Sequence, residues 1–553
     1  MPNPPKTPAP IRYRIDMPEP HTHLYRVTLT IAEPEGMQRL SLPAWIPGSY
    51  LIREFARHLQ GLRARQGRRA LPVVQTGKSS WEVACKPGTA LTLDYAVYGG
   101  DASVRTAWLD ASRGFFNATS LCLRAQGHTH HPHTLELTAP RTRPRWQVAT
   151  GLAAARVDAH GFGLYAAADY DELADCPFEL GAFWSGHFKA AGVPHRFVVA
   201  GATAAFDGER LLADTRTICE TAIRFWHGRG KPPHTSYVFM LNAVDDSYGG
   251  LEHRNSTALI CGRRDLPRLG EPKASDGYTT LLGLISHEYF HTWNVKRLRP
   301  AEFTRYDYTQ ENYTRLLWFF EGFTSYYDDL LLRRAGLLDD AGYLKLLNKT
   351  INQVLQTPGR AVQSVAQASF DAWVKYYRPD ENTPNATVSY YTKGALVALC
   401  LDLSLRREGH TTLDAVMRAL WTRCQAGPMR EDDLLAVLAD LGGRDFSPEL
   451  ADWVRGTGEL PLKDLLEHHG VAVHEDAAQP AQRLGLRVTE TAGIQVKVVL
   501  RASAAERAGF SPGDEWLAVE TYVRTGEAWR MHKIDYLALY AGPRRQLTAL
   551  VAR

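Results

Sequence analysis

Ser286-His-Glu-Tyr-Phe-His-Thr-Trp293 decides how this 553-residue chain is read. Residues four apart on an α-helix lie one above the other, so His287 and His291 offer two imidazoles to one point. Glu288, one step round, stands beside that point, where a carboxylate can take a proton from water. Tyr278, Leu281, Leu282, Leu284, Ile285, Tyr289 and Phe290 cover most of the circumference of a helix running roughly from Tyr278 to Trp293, with Ser275 or Asp276 as N-cap. Such a helix is buried, and its two histidines and glutamate need partners; one zinc ion would supply them. A catalytic zinc needs a third protein ligand and an open fourth position.

Two acids compete for that role. Glu311 follows His291 by 20 positions and Glu321 by 30. Counting favours Glu311, whose interval is close to that of thermolysin-like enzymes. Context favours Glu321, which sits among Leu317, Trp318, Phe319, Phe320 and Phe323 in a helix expected over about 311–335, and so needs a buried partner. Gly322 beside it would let two helix backbones come close. Glu311 stands among Thr309, Gln310 and Asn312 near a helix start, where the dipole alone accounts for an acid. Glu321 is therefore the expected third ligand.

The length calls for about two to four domains. A hydrophobic share of 44% and a charged share of 22% are those of a globular protein, and a net charge of +4 gives no reason to expect nucleic acid or an anionic membrane. The 7 cysteines are scattered without a C-x-x-C pair, which reads as reduced thiols. The start lacks an apolar signal region and no run is long enough to span a bilayer, so the expected location is cytoplasmic.

Residues 1–10 are a Pro-rich tail. From Ile11 to about Val157 the text alternates, as in Leu24-Tyr-Arg-Val-Thr-Leu-Thr-Ile31 and Leu91-Thr-Leu-Asp-Tyr-Ala-Val-Tyr98, which predicts an antiparallel β-domain. Two aromatic stretches within it, Pro43-Ala-Trp-Ile-Pro-Gly-Ser-Tyr50 and Ser112-Arg-Gly-Phe-Phe-Asn117, read either as turns burying their own rings or as loops at a domain seam. His128, His130, His131 and His133 read as a solvated loop rather than a metal site. A strand at His195–Ala200, a helix from Gly208 to Trp226 and a strand at Tyr237–Val244 lead to Tyr248-Gly-Gly-Leu-Glu-His-Arg-Asn-Ser256 and the motif helix. Further helices fill 340–460, and β-type text resumes after Asp476.

Taken together, these motifs resemble the glycyl aminopeptidase family of zinc metallopeptidases. Leu317-Trp-Phe-Phe-Glu-Gly-Phe-Thr-Ser-Tyr326 is similar to that group's W-x-x-E-G-F helix. Gly249-Gly-Leu-Glu-His253 resembles its G-A-M-E-N strand, with Glu252 lying 35 positions before His287. Tyr391-Thr-Lys-Gly-Ala395 resembles its Y-x-K-G-A segment, and Ala505-Glu-Arg-Ala-Gly-Phe-Ser-Pro-Gly-Asp514 resembles the turn of bacterial PDZ modules. One departure is His253, which stands where the G-A-M-E-N pattern has Asn.

The resemblance implies a multidomain α+β architecture. It has an N-terminal antiparallel β-domain (1–175), a thermolysin-like, mainly helical zinc-peptidase domain (176–470) and a C-terminal PDZ-like β-domain (471–553). It implies one zinc ion on His287, His291 and Glu321, Glu288 as general base and Tyr391 as donor to the oxyanion. Glu252 would pair with a substrate's α-ammonium while Gly249 and Gly250 let peptide backbone lie along their strand. The expected activity is removal of small N-terminal residues, Gly and then Ala, from peptides with a free N-terminus, with a possible peptide ligand for the PDZ-like domain. The alternatives are a zinc endopeptidase and a metal-bearing but inert PDZ interaction protein.

Overall fold

The computed structural model describes residues 11–520, 528–541 and 546–553; the Pro-rich start at 1–10 lies outside them. The chain forms two compact units. One comprises Met1–Tyr313, Tyr327–Tyr343 and Trp421–Arg430, the other Thr314–Tyr326, Leu344–Leu420 and Glu431–Arg553.

In the first unit an eight-stranded sheet runs in the order Ala153–Val157, Gly163–Ala167, His133–Leu137, Ile11–Asp16, Leu24–Ile31, Leu91–Tyr98, Leu59–Gln66, Arg69–Leu71. Burial alternates along Ile11–Asp16 and Leu91–Tyr98, because one face covers the core and the other faces water. The sheet departs from the expected antiparallel form at one place: Ile11–Ile15 pairs parallel with His133–Leu137. A parallel neighbour needs a long crossover, and the intervening chain supplies it. Of the two aromatic stretches, the second is a strand, Arg113–Phe116, paired with Phe178–Gly181, with Phe115 and Phe116 in the core. The first reaches further: Trp45 Nε1 donates to the carbonyl of Asp307 at 2.7 Å, and its ring meets Tyr306 and Tyr308. The histidine stretch is a solvated loop only at His130 and His131, which are exposed. His133 opens a strand, stacks on Tyr13 and is 1% exposed, and His128 is also buried.

A five-stranded sheet follows, in the order Trp184–Ala190, Val193–Ala200, Tyr237–Val244, Ser256–Gly262, Gly249–Glu252. Tyr237–Val244 and Ser256–Gly262 are buried almost throughout, as continuous apolar strands covered on both faces must be. The helix Gly208–His227 crosses between parallel strands, and Asp207 caps it by accepting from the Arg210 amide. Gly249–Glu252 is the edge strand.

The second unit is helical with a terminal sheet. The helix expected from 311 starts later. Leu317–Phe320 forms one turn and Gly322–Arg334 the rest, its residues from Tyr327 on being counted with the first unit, and Glu321 joins the two pieces in helical dihedrals. Upstream, within the first unit, the Asn312 side chain donates to the carbonyls of Asp307 and Gln310 and holds a loop instead. The β-type tail opens with a helix, Pro480–Leu484, whose Gln482 side chain accepts from the Gln479 amide and whose C-cap is Gly485 at φ +74°. Leu486–Thr489, Ile494–Val499, Glu515–Glu520, Ala528–Arg530 and Thr548–Ala552 then form a five-stranded sheet over Ile494, Val496, Ala505 and Trp516. Among the described residues no helix is long and apolar enough to cross a membrane.

Candidate active site

The motif helix spans Asp276–Phe290 and starts where Ser275 Oγ accepts from the Tyr278 amide at 3.0 Å. Both ligand candidates are oriented from behind. His287 Nδ1 donates to the Asp328 carboxylate at 2.9 Å, and His291 Nδ1 donates to the Asn294 carbonyl at 2.7 Å. Each Nδ1 therefore carries the proton in the neutral ring, and each Nε2 presents a lone pair. The two Nε2 atoms face each other at 3.0 Å. Two lone pairs at that separation repel unless a cation lies against both. Ligand atoms of His287, His291 and Glu321 all lie within 4.8 Å of one another. Two imidazole nitrogens and a carboxylate, so gathered and so oriented, fit a divalent metal ion. Glu311, half-buried at its loop, is outside this group.

Glu288 is 4% exposed and points toward the edge strand. A Cβ added at Gly250 would sit 2.1 Å from Glu288 Oε1, so Gly250 is glycine because the carboxylate occupies that space. Gly249 is at φ +154°, a conformation that other residues rarely adopt. The strand pairs antiparallel with Ser256–Gly262 along one side, Gly250 opposite Leu259 and Glu252 opposite Thr257.

Glu252 points to the same face as Gly250, two residues away. It is 4% exposed and makes no ion pair among the described residues, while its carboxylate oxygens are not sealed from solvent. A Cβ on Gly48, at φ +91° in the Pro43–Tyr50 stretch, would lie 2.5 Å from Glu252 Oε1, so the β-domain closes directly over this acid. Lys296 acts on Glu252 through its charge but is held elsewhere, its ammonium 2.7 Å from Asp175 Oδ1. Asp175 also accepts from the Arg254 amide at 3.0 Å and meets His253 Nδ1 at 3.3 Å. Its carboxyl is held well below the usual range: burial opposes ionisation, but Lys296, His253 and Arg254 outweigh it. His253, the departure from the family pattern, thus belongs to an anchor behind the strand.

Tyr391 immediately precedes the helix Thr392–Glu408, its ring stacked on Tyr390. Burial pushes its hydroxyl well above the ordinary value, and the charge of Glu321 pushes the same way, so it remains a donor. Two glycines bring the helix starts together. A Cβ on Gly322 would lie 2.6 Å from the Gly394 backbone, and one on Gly394 would lie 2.5 Å from the Trp318 carbonyl. Any side chain at either position separates the helices.

Sequence reasoning missed Asp328, Asp175, Lys296 and Gly48. Only Asp328 left a signal, seven positions after Glu321 and so on the same face of one helix. The others come from strands and loops distant in sequence.

Residues 12–182 match the model of the Peptidase M61 N-terminal domain, and residues 280–397 match that of M61 glycyl aminopeptidase. An aminopeptidase N family protein from Idiomarina loihiensis is similar along nearly the whole chain, with 38% identity, 98% of this chain and 95% of that chain covered, and a TM-score of 0.91. A mutant two-domain M1 zinc metallopeptidase bound to L-arginine is more distant, at 16% identity and a TM-score of 0.48 over 82% of this chain and 94% of that one. No curated protein sequence matches significantly. With both halves of the family's pattern present in order and a full-length relative at this identity, the chain belongs to the M61 glycyl aminopeptidase family.

Proposed function

We propose that this protein is a zinc-dependent aminopeptidase that hydrolyses the first peptide bond of peptides and prefers small N-terminal residues, glycine foremost. The observation that carries the reading is Glu252, a largely buried acid on the strand whose Gly250 abuts Glu288, with the nearby Lys296 held by Asp175 instead. Leaving a charge in this state costs free energy unless something completes it, and a peptide's α-ammonium has the complementary charge.

His287, His291 and Glu321 would hold the zinc, which when bound polarises the scissile carbonyl and acidifies water. Glu288 accepts the proton of the attacking water on a carboxylate oxygen and later delivers it to the leaving amine. Tyr391 donates its O–H to the oxygen that gains charge as the carbonyl carbon becomes tetrahedral. Glu252 fixes the amine, and the side-chain-free Gly249–Gly250 edge lets peptide backbone lie against the strand. The close approach of Gly48 to Glu252 limits space around the first residue, which suits glycine or alanine.

The deciding experiment compares glycyl and alanyl anilides with their N-acetylated forms. Hydrolysis should vanish on acetylation and on chelation, and should return with zinc. Equal hydrolysis of acetylated substrates would make the enzyme an endopeptidase and remove the role of Glu252. We also read the C-terminal sheet as PDZ-like, which C-terminal peptide binding to the whole protein would test.

A further inference from the structure

The edge strand carries a second charged group, which the proposed chemistry leaves unused. Arg105 comes from the loop between Asp101 and Thr106 of the β-domain. Its Nη2 donates to the Gly250 carbonyl at 3.1 Å. Both Nη1 and Nη2 lie 3.8 Å from where a Gly249 side chain would begin. Its Nε is buried and has no hydrogen-bond partner, and no carboxylate pairs with the guanidinium among the described residues. An arginine that serves only to hold a carbonyl does not need to keep its fork clear of acids.

The spacing along the strand gives this cation a use. Strand residues advance about 3.3 Å each, so the Glu252 and Gly249–Gly250 positions are separated by roughly 7–10 Å. An extended peptide spans at most about 3.3–3.6 Å per residue, which makes that interval two to three residues. A positive group at one end and a negative one at the other match a short zwitterionic peptide, and Glu288 lies against Gly250 at the Arg105 end of that interval. Arg105 also occupies the Gly250 carbonyl, and therefore ends the stretch of free strand edge along which a longer peptide could continue.

We propose that Arg105 receives the C-terminal carboxylate of di- and tripeptides, making this site selective for short peptides with both termini free. The proposal rests on the aminopeptidase reading and names the substrate class of the same site. A guanidinium binds a carboxylate through two parallel N–H···O bonds, a geometry neither a neutral amide nor a lysine reproduces.

The test compares Gly-Gly-Gly with its C-terminal amide, in the wild type and in Arg105→Gln. The wild type should cleave the acid with kcat/KM about 10- to 100-fold above the amide, mainly through KM. In Arg105→Gln that ratio should collapse toward one, with Arg105→Lys between. A purely structural role for Arg105 would lower both substrates together and leave the ratio intact, which overturns the proposal. So does a wild-type ratio of one. The aminopeptidase reading fails separately, through indifference to N-acetylation. Should neither peptide be cleaved, calorimetric binding of both peptides to Glu288→Gln applies the same ratio: a preference for the acid that depends on Arg105 supports the proposal, and equal binding ends it.

Discussion

Two buried carboxylates on two β-sheets separate structure from chemistry in this protein. Glu179, on the strand Phe178–Gly181, is 1% exposed and meets Arg113 through two hydrogen bonds of 2.7 Å each. Burial raises its carboxyl and Arg113 opposes that rise. Glu252, on the edge strand, is 4% exposed and is given no such partner, although Lys296 stands near enough to be felt. Asp175 holds that lysine away. The first acid is satisfied within the fold and the second is kept unsatisfied by an adjacent network. On the proposed reading, an acid left without a counter-charge marks where a ligand's charge is required, whereas burial alone does not.

The contrast can be broken in several ways. Glu288→Gln, which removes the acid facing Gly250 while keeping its shape, should lower kcat by about 10²- to 10⁴-fold with the protein still folded. Steady-state kinetics beside circular dichroism would check this. The paired acids should then respond in opposite senses. Glu252→Gln should cut kcat/KM on free-amine substrates about 10- to 100-fold with little change in unfolding free energy. Glu179→Gln should leave turnover nearly intact but destabilise by about 3–5 kcal/mol, because the Arg113 charge stays buried without its counter-charge. Denaturant titration of both variants would read this, and a stability loss confined to Glu252→Gln would dissolve the comparison.

Asp175→Asn probes the device that keeps Glu252 open. With its anchor neutral, Lys296 should turn to Glu252 and compete with the substrate amine. KM should rise several-fold to about tenfold while kcat changes less. A fall in kcat at constant KM would show that the anchor acts elsewhere.

The smallest expected effect is a pH dependence of stability from neutral buried histidines. Burial lowers His133 and His195 to about 4. The unfolded chain takes up protons near 6.5 and the folded one only near 4, so their contribution is complete above about 6.5 and is lost progressively down to about 4. At pH 5 each should cost on the order of 1–2 kcal/mol relative to neutral pH. Thermal midpoints at pH 5 and pH 7.5, for the wild type and for His133→Gln, would measure it.

Much of this arrangement could be read from spacing and hydropathy. The apolar dress of residues 278–290 placed the motif on a buried helix, and the aromatic neighbours of Glu321 favoured it over Glu311 although that acid lay nearer in sequence. The alternation of Leu24–Ile31 and Leu91–Tyr98 gave the β-domain, since a sheet wet on one face repeats every two residues. The reading failed where a side chain overrode the local pattern. Asn312 binds the loop's carbonyls and delays the helix to Leu317. Gln479 and Gln482 cap a helix before the terminal strands. The parallel partner of Ile11–Asp16 lies more than a hundred residues away, and periodicity records no pairing partner.

The sequence by itself determined the buried helix that carries His287, Glu288 and His291 and singled out Glu321 over Glu311 as their candidate partner, because periodicity and burial within one or two helices are local properties. Only the tertiary structure decided which acids are satisfied. Asp175 restrains Lys296, Gly48 closes on Glu252, and Arg105 reaches the Gly250 carbonyl across 145 positions of chain. Whether a buried charge is paired depends on groups that only folding brings within a few ångströms of it, and Coulomb attraction at that range has no counterpart in the order of residues.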